Sequence, residues 1–261
     1  MIRALWTAGT GMEALQTNLD VIANNLANVN TTGFKKSRAD FQDILYQTTK
    51  RAGTETSSGG QLPVGVSVGM GSKIMSTTTM FTQGDVQQTD SPYDWTIQGD
   101  GFFQLVDNNG RTIYTRAGSF MTNNNGTLVN GNGLTLTPQV SIPQAAVNFQ
   151  ILDDGTWSAT DVNENKLATG RVQLARFINP SGLKSIGNNC YDITDASGAA
   201  VTGNPGVSGF GTIQQNAVEM SNVNVVEEMV NMIAAQRAYE MNTKAIQTAD
   251  QILQMISNLK K

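Results

Sequence analysis

The chain has 261 residues and a formal net charge of −4, with 17 basic against 21 acidic residues and no histidine. This balance gives no electrostatic footprint for nucleic acid or anionic lipid, and without histidine the Ser-His-Asp, Cys-His and histidine-metal chemistries are excluded. Charged residues make up 15% of the chain, below the roughly 25% usual for a soluble domain. No apolar run is long enough to span a membrane and no signal-peptide pattern opens the chain, so these features alone predict a cytoplasmic protein.

The first predicted element is an N-terminal helix with a heptad repeat of apolar residues. Two rows of positions spaced by seven residues interleave, as is typical of a coiled-coil seam. The sequence Thr31-Thr32-Gly33 follows this pattern, and a glycine suited to a left-handed conformation predicts that the helix stops there. The predicted seam consists of Leu5, Ala8, Met12, Leu15, Leu19, Ile22, Leu26 and Val29.

The helix is followed by segments with weaker signals. Residues 36–45 are predicted to be extended or briefly helical. Residues 46–69, which include Leu62, Pro63, Val64 and Gly65, lack a regular hydrophobic period and are rich in Ser, Thr and Gly. This composition predicts a long loop or an extended arm, and loops of this length are usually functional or linkers.

From about residue 72 to residue 200 the chain is predicted to form short antiparallel strands separated by turns of Asn, Asp and Gly. One predicted hairpin joins residues 102–106 to residues 111–115, and another joins residues 147–152 to residues 156–160. Residues 171–177 alternate between apolar and polar side chains and are predicted to form one strand. The middle of the chain is therefore predicted to be an all-β domain.

Several short motifs in this region resemble functional sites but are better explained as turns. Asp153-Asp154 precedes a glycine between two strands, which is turn chemistry rather than a catalytic pair. Residues 161–172 begin like a calcium loop but lack its central glycine and its final glutamate. Gly99-Asp100-Gly101 is predicted to be a strand bend that allows another backbone to approach closely. Cys190 has no basic neighbour to activate it and is predicted to be an inert core or edge residue.

The last predicted element is a helix from about residue 222 to residue 259, with Ser221 or Asn222 as its N-cap. Together with the N-terminal helix and the central strands it predicts an α+β fold. In this fold, paired coiled-coil-like terminal helices accompany a central antiparallel all-β domain. Its heptad seam consists of Ala235, Ala238, Asn242, Ala245, Ala249, Ile252, Ile256 and Leu259.

The polar positions of the N-terminal helix carry few charges. Through residue 34 these are Arg3, Glu13 and Asp20, and the remaining polar positions are mostly amides and hydroxyls. A helix that faces water usually carries paired charges three or four residues apart. This helix is therefore suited to being surrounded by other protein, although an ordinary helical hairpin that caps a domain also fits the pattern.

Several sequence strings resemble those of the bacterial flagellar rod and hook proteins. Residues 20–35 (DVIANNLANVNTTGFK) are similar to the N-terminal signature of this axial family, and residues 221–240 (SNVNVVEEMVNMIAAQRAYE) to its C-terminal signature. Residues 99–103 (GDGFF) and 114–120 (YTRAGSF) resemble the β-domain core that the family shares. Within the family, the chain length and residues 46–69 look most like the distal rod.

The resemblance implies a structural subunit of the distal rod that assembles into a rigid hollow helical tube. This tube would transmit motor torque to the hook and pass exported subunits through its channel. Residues 1–30 and 222–261 would form an inner helical tube and residues 72–202 an outer β-rich domain. Residues 31–71 and 203–221 would be an extended connector that includes a rod-type insertion at about 46–69. This insertion, with Tyr46, Leu62, Pro63, Val64 and Gly65, would stiffen the rod.

The resemblance also implies partners and a location. The chain would bind copies of itself, proximal rod proteins, the hook protein, the surrounding P- and L-ring proteins and the flagellar export apparatus. It would not bind nucleic acid or insert into a membrane. It would be exported without a cleaved signal peptide and cross the periplasm to the outer membrane, which replaces the cytoplasmic expectation. No catalytic activity, cofactor or metal is expected. The alternatives are a proximal rod or hook paralogue, a non-flagellar coiled-coil and β adhesin-like oligomer, and a secreted hydrolase.

Overall fold

A computed structural model describes residues 2–53, 63–107 and 109–258, and the side chains from residue 3 onward. The chain divides into two compact units. One unit, here named the terminal unit, combines Met1–Leu26, Ser37–Thr78 and Asn224–Lys261. The other, here named the β unit, combines Ala27–Lys36 and Thr79–Val223. Helices near both ends of the chain and antiparallel strands between them confirm the predicted α+β class.

The terminal unit contains long helices and short strands. Strand β1 lies beside β4, and β2 pairs with β3 as an antiparallel hairpin. Residues 46–69 are therefore not an irregular loop throughout, because strands occupy both sides of the segment. The elements are α1 (Ile2–Ala27), β1 (Ser37–Asp43), β2 (Tyr46–Lys50), β3 (Val66–Gly69), β4 (Ser72–Thr79) and α2 (Val225–Asn258).

The helix ends differ from the predicted ones. Helix α1 ends at Ala27, before the predicted Thr-Thr-Gly stop, and the backbone N–H of Thr31 closes a turn on the carbonyl oxygen of Asn28 at 3.2 Å. The cap of α2 is Asn224, whose Oδ1 accepts hydrogen bonds from the N–H groups of Val226 (3.0 Å) and Glu227 (3.3 Å). The predicted cap at residue 221 or 222 is wrong because those side chains form hydrogen bonds within the β unit instead.

The β unit consists of short strands with a single 3₁₀ turn among its described residues, at Pro180–Gly182. Its strands are β5 (Val86–Gln88), β6 (Trp95–Gln98), β7 (Phe102–Val106), β8 (Thr112–Thr115), β9 (Phe120–Thr122), β10 (Leu128–Asn130), β11 (Thr135–Thr137), β12 (Asn148–Ile151), β13 (Thr156–Thr160), β14 (Lys166–Arg171), β15 (Leu174–Arg176), β16 (Lys184–Gly187), β17 (Cys190–Asp192), β18 (Val201–Gly203), β19 (Thr212–Gln215) and β20 (Ala217–Glu219).

The main sheet of the β unit has the strand order β16-β17-β8-β7-β11-β10-β9, and β15 joins β7 to β18. Separate antiparallel pairings join β12, β13 and β14, then β6 and β19, and finally β5 and β20. Both predicted hairpins are confirmed as β7–β8 and β12–β13. The single strand predicted at residues 171–177 is wrong. The N–H of Val172 turns away to the carbonyl oxygen of Gly155 at 2.8 Å, and β14 and β15 belong to different sheets.

Strand β7 lies between two apolar cores, because alternate side chains of a strand point to opposite faces of its sheet. Phe103 and Leu105 point into the larger core, whereas Phe102 points into the smaller one. In the larger core the Trp95 ring stacks on Phe149, with ring centroids 5.8 Å apart. Burial on both faces explains why β7 is apolar at four of its five positions.

Residues 27–36 and 216–223 belong to the β unit although they adjoin the helices in sequence. Gly33 has φ +69°, and a Cβ atom at this position would lie 2.6 Å from the backbone nitrogen of Ala117. The N–H of Gly33 donates to the carbonyl oxygen of Glu219 at 2.7 Å. Only a residue without a side chain fits this conformation and this close approach, so Gly33 fixes the path that leads to Lys35.

Candidate assembly surfaces and a buried ion cluster

Helices α1 and α2 pack against each other in antiparallel orientation within the terminal unit. The Asn242 amide nitrogen lies 3.2 Å from the position that a Cβ atom on Gly11 would occupy. The Asn25 amide nitrogen lies 3.4 Å from Oε2 of Glu228. As the contact moves forward along α1 from Gly11 to Asn25, it moves back along α2 by the same number of residues, from Asn242 to Glu228. The two helices therefore run in opposite directions. Continuing this register places Ile2 opposite Gln251, so the last turns of α2 extend past the start of α1.

The predicted seam of α1 lies on the covered side of the helix. Ala8 and Ile22 are buried, and the other six seam residues are half-buried. Val29 lies beyond the end of the helix, because α1 stops at Ala27. The heptad pattern missed Ala14 and Asn25, which are also buried.

The predicted seam of α2 divides into a covered row and an exposed row. Ala235 and Ala249 are buried, while Ala238 and Asn242 are half-buried. Three other members of the seam are exposed, namely Ala245, Ile252 and Ile256. The last member, Leu259, lies outside the described residues. The half-buried apolar residues that accompany the covered row are instead Met232, Ile246 and Leu253.

Helix α2 therefore carries an exposed apolar face on the side opposite its covered row. At 100° per residue, Val226, Met229, Val230, Ile233, Met241 and Met255 point within about 60° of the direction opposite that of Ala235, while Ala245, Ile252 and Ile256 lie about 60–100° to one side of Ala235. Val226 is 70% exposed, and exposure of apolar side chains continues to the last turns of the helix. Contiguous apolar surface of this kind marks an interaction site. Its members are Val226, Met229, Val230, Ile233, Met241, Ala245, Ile252, Met255 and Ile256.

The hairpin formed by β2 and β3 is also exposed. Tyr46 pairs with Gly69 and Lys50 with Val66, and every side chain of β2 is exposed. Val64 and Pro63 of the predicted stiffening segment are exposed and Gly65 is half-buried, whereas Leu62 lies outside the described residues. An isolated two-stranded hairpin is marginally stable in water, so this exposed hairpin, whose apolar side chains are Tyr46, Val66 and Val68, is suited to contact with another protein surface.

A cluster of buried ions lies in the β unit, centred on the carboxylate of Glu219. Lys35 Nζ lies 2.6 Å from Glu219 Oε1, and Arg116 Nε lies 2.8 Å from Glu219 Oε2. The side chains of Lys35 and Glu219 are fully buried and that of Arg116 is 5% exposed. Burial lowers the pKa of Lys35, and the Glu219 carboxylate opposes this shift. Lys35 and Arg116 lie within the sequence strings quoted above for the family resemblance, but no local pattern predicts their contact with Glu219.

A second buried polar contact lies in the terminal unit. The Asn25 amide mimics a strand neighbour for the backbone of Ser37, donating to its carbonyl oxygen at 2.8 Å and accepting from its N–H at 2.9 Å. Asn25 and Glu228 are buried. Asn25 lies outside the two predicted heptad rows of α1, so the heptad pattern placed it among the polar positions and did not indicate its burial.

The short motifs in the β unit form turns. Asp154 Oδ1 accepts from the N–H of Thr156 at 2.9 Å, and this hydrogen bond lowers the pKa of Asp154. The N–H of Gly211 reaches the carbonyl oxygen of Asp100 at 2.7 Å, which confirms the close backbone approach predicted beside Gly99 and Gly101. Cys190 is buried, and burial raises the pKa of its thiol. Among the described residues, no group of histidine, cysteine and acidic side chains is arranged to hold a metal ion, and no helix is long and apolar enough to cross a membrane.

Comparison with known proteins accounts for both ends and the middle of the chain. The family described as flagella basal body rod protein matches residues 5–35, and the flagellar hook protein FlgE/F/G D1 domain matches residues 96–159. The C-terminal family of the flagellar basal body rod FlgEFG proteins matches residues 214–259.

Full-length relatives carry the same description. The flagellar basal-body rod protein FlgG of Caulobacter vibrioides is 47% identical over 261 residues, which cover 99% of this chain and 100% of the relative. The proteins of that name from Borreliella burgdorferi and Bacillus subtilis are 46% and 39% identical, with both chains covered completely. The chain therefore belongs to the flagellar basal-body rod protein family and is a structural subunit of the flagellar rod.

Proposed function

We propose that copies of this rod subunit polymerise into the rigid hollow tube of the distal rod. The exposed apolar face of α2 carries this proposal, because a free monomer leaves it in water. Covering one Leu- or Ile-sized side chain contributes roughly 1.5–3 kcal/mol, so neighbouring copies that cover this face stabilise the polymer. The basal-body location that the family implies replaces the cytoplasmic expectation drawn from composition.

In the proposed tube the two ends of the chain form the inner layer. Residues 1–30 and 222–261 line the channel as paired, coiled-coil-like helices, and residues 72–202 form the outer β-rich layer. Residues 31–71 and 203–221 connect the layers. The covered row of α2 packs on α1 of its own chain, which leaves the row of Ala245, Ile252 and Ile256 to meet the helices of neighbouring copies.

The proposed tube connects other parts of the flagellum. It joins the proximal rod proteins to the hook protein, turns inside the P- and L-ring proteins while crossing the periplasm, and transmits motor torque. Its subunits leave the cell through the flagellar export apparatus without a cleaved signal peptide, and later subunits pass through its channel. The low charge of the α1 polar face supports this packing, because amides and hydroxyls tolerate contact with other protein better than charges do.

Polymerisation of the purified full-length chain tests the proposal. Concentrated protein is followed by light scattering, and the product is imaged by negative-stain electron microscopy with a gold label on the C-terminus. The expected product is a straight tube with the label along its axis. A defined dimer or trimer would contradict the proposal and favour the adhesin-like alternative, and a tube with the label on its outside would contradict the inner position of the helices.

The β2–β3 hairpin supports a second part of the proposal, that residues 46–69 stiffen the rod by contacting a neighbouring copy. Tyr46 and Val64 are exposed in the single chain, at 59% and 74%. The double variant Tyr46→Ser/Val64→Ser keeps the backbone and removes the apolar contact surface. Polymers of this variant are expected to bend, whereas Thr48→Ser, a matched change at an exposed position of the same hairpin, leaves them straight. Straight polymers from both variants would remove the stiffening role.

A further inference from the structure

Glu219 receives hydrogen bonds from three stretches of the β unit that are distant in sequence. Lys35 Nζ (2.6 Å) and the N–H of Gly84 (3.0 Å) donate to Oε1, and Arg116 Nε (2.8 Å) donates to Oε2. The carboxylate thus joins the segment that follows α1, the start of the β strands and the centre of the main sheet. It comes from β20, close to the C-terminal end of the unit.

The two cations depend on this one anion. Each also donates to a backbone carbonyl, Lys35 to Thr82 at 2.6 Å and Arg116 to Gly101 at 2.6 Å. These carbonyls supply hydrogen bonds but no negative charge. Without Glu219, two buried cations would have no counterion among these contacts, and an uncompensated buried charge destabilises a fold far more than a lost neutral hydrogen bond.

The backbone around the cluster is also hydrogen-bonded to residues near both ends of the β unit. The N–H of Lys36 donates to Oδ1 of Asn222 at 2.7 Å, and the N–H of Met80 donates to the carbonyl oxygen of Lys36 at 2.9 Å. The N–H of Met220 donates to the carbonyl oxygen of Asp85 at 2.8 Å beside the β5–β20 pair. The segment before β5 is therefore held from both sides, by residues near 35 and by residues near 220.

We propose that Glu219 is a latch that closes the β unit, so that the main sheet becomes stable only when the segments carrying Lys35 and Glu219 have both docked. The main sheet lies between these segments in sequence, and its strands form no part of the cluster except through Arg116 near β8. Until Glu219 arrives, the Lys35 and Arg116 side chains keep this part of the unit hydrated. The β unit consequently stays open until nearly all of the chain is available. This inference concerns the single chain and does not depend on polymerisation.

The test uses Glu219→Gln in the full-length chain with Trp6→Phe as background. Trp6 is exposed in α1, whereas Trp95 and Trp157 are buried in the β unit, so fluorescence in this background reports the β unit alone. The unfolding equilibrium constant of Glu219→Gln is expected to rise roughly 100-fold or more. Glu164→Gln, the same change at an exposed position of the β unit, is expected to stay within about twofold. A rise below about fivefold for Glu219→Gln would overturn the latch.

Hydrogen exchange separates a latch from a local contact. If Glu219 closes the whole unit, exchange at the β7 and β8 amides rises by the same factor as exchange at residues 33–36 and 217–220. Faster exchange confined to those two segments, with β7 and β8 unchanged, would overturn the proposal, because the main sheet would then be stable without the latch.

A compensating variant keeps the proposal testable if Glu219→Gln does not fold. Lys35→Met/Glu219→Gln removes one of the two uncompensated cations and keeps a side chain of similar length. If buried charge is the cause, this double variant is more stable than Glu219→Gln and recovers native fluorescence, although it has also lost the hydrogen bonds of the Lys35 ammonium group. A double variant as unstable as Glu219→Gln, or less stable, would show simple loss of contacts and overturn the charge-based latch.

Discussion

The central sheet of the β unit and helix α2 of the terminal unit differ in how far a single chain covers their apolar side chains. In the β unit, β7 is covered on both faces and a lysine and a glutamate are fully buried as partners. In the terminal unit, α2 leaves Val226 70% and Val230 59% exposed. The difference indicates that the sheet of the β unit has a packed core within a single chain, whereas α2 presents apolar surface to solvent. Substitutions should therefore act on folding in the first unit and on assembly in the second.

The largest effect is expected for Leu136→Ala in the β unit. Leu136 is fully buried and pairs across the sheet with Leu105, so truncation leaves a cavity in a packed core. The free energy of unfolding should fall by about 2–5 kcal/mol, measured by urea denaturation with tryptophan fluorescence. Ile256→Ala, at an exposed position of α2, should change it by less than about 0.5 kcal/mol when helix loss is followed by circular dichroism. Similar losses in both variants would break the contrast between the units.

A glycine in each unit gives the next contrast. Gly33→Ala should lower the free energy of unfolding of the β unit by about 1–3 kcal/mol, because a side chain at φ +69° is strained and would overlap the Ala117 backbone. Gly9→Ala should raise helix stability by roughly 0.5–1 kcal/mol, since an added Cβ there meets no atom within 4 Å and alanine favours the helix. Urea titrations of both variants, read by fluorescence and by circular dichroism, check the two signs. A neutral Gly33→Ala would contradict the close packing at that position.

The pH dependence of the β unit offers a smaller effect. Tyr191 is buried, and burial raises its pKa from 10.0 to about 12. Between these values the folded state holds a proton that the unfolded state has released, so stability falls as pH rises through this window. At pH 11 the loss attributable to Tyr191 should be about 1 kcal/mol relative to pH 8. Tyr191→Phe should therefore lose less stability than the parent over this range in paired urea titrations. Burial also raises the pKa of Tyr114, but this residue is present in both proteins and contributes equally to both. Equal losses would show that Tyr191 reaches water before unfolding.

The parts of the fold that sequence could predict are those specified by neighbouring residues. The turn at residues 107–110 and the Asp-Asp-Gly turn at residues 153–155 define the β7–β8 and β12–β13 hairpins, because hairpin register depends on the turn itself. The heptad rows predicted both helices, because helical packing repeats every seven residues. The alternating pattern of residues 171–177 predicted one strand, but the chain forms parts of two strands there. Alternation does not reveal which sheet each half joins.

The candidate site was harder to predict because its parts meet only in three dimensions. Lys35 and Glu219 are 184 residues apart, and nothing local marks either as buried. The N-cap of α2 was misplaced for a similar reason. Asn222 and Asn224 are equally good caps by residue type, but Asn222 forms hydrogen bonds to Met80 and Thr82 in the β unit. The exposed row of α2 was included in a single seam because a heptad pattern does not distinguish a partner within the chain from one outside it.

The smallest expected effect on folding belongs to Ile252→Ser, which tests the terminal unit where α2 extends past the start of α1. Ile252 is 42% exposed, so the substitution should change the free energy of unfolding by less than about 0.5 kcal/mol. In the polymer the same side chain is proposed to be covered in every copy. Each contact would then lose roughly 1.5–3 kcal/mol, enough to raise the critical concentration for assembly about tenfold or more. Light scattering over a concentration series measures this value.

The matched control for Ile252→Ser is Ile178→Ser, which removes an isoleucine that is 89% exposed in the β unit. It should leave both unfolding and the critical concentration close to those of the parent, since the proposed contacts of α2 do not involve it. If both variants assemble like the parent, the exposed face of α2 does not drive polymerisation. If both fail equally, exposed apolar side chains act without regard to position, and the distinction between the packed sheet of the β unit and the uncovered face of α2 is lost. Failure of Ile252→Ser alone would place the assembly contact on the helix face that a single chain leaves uncovered.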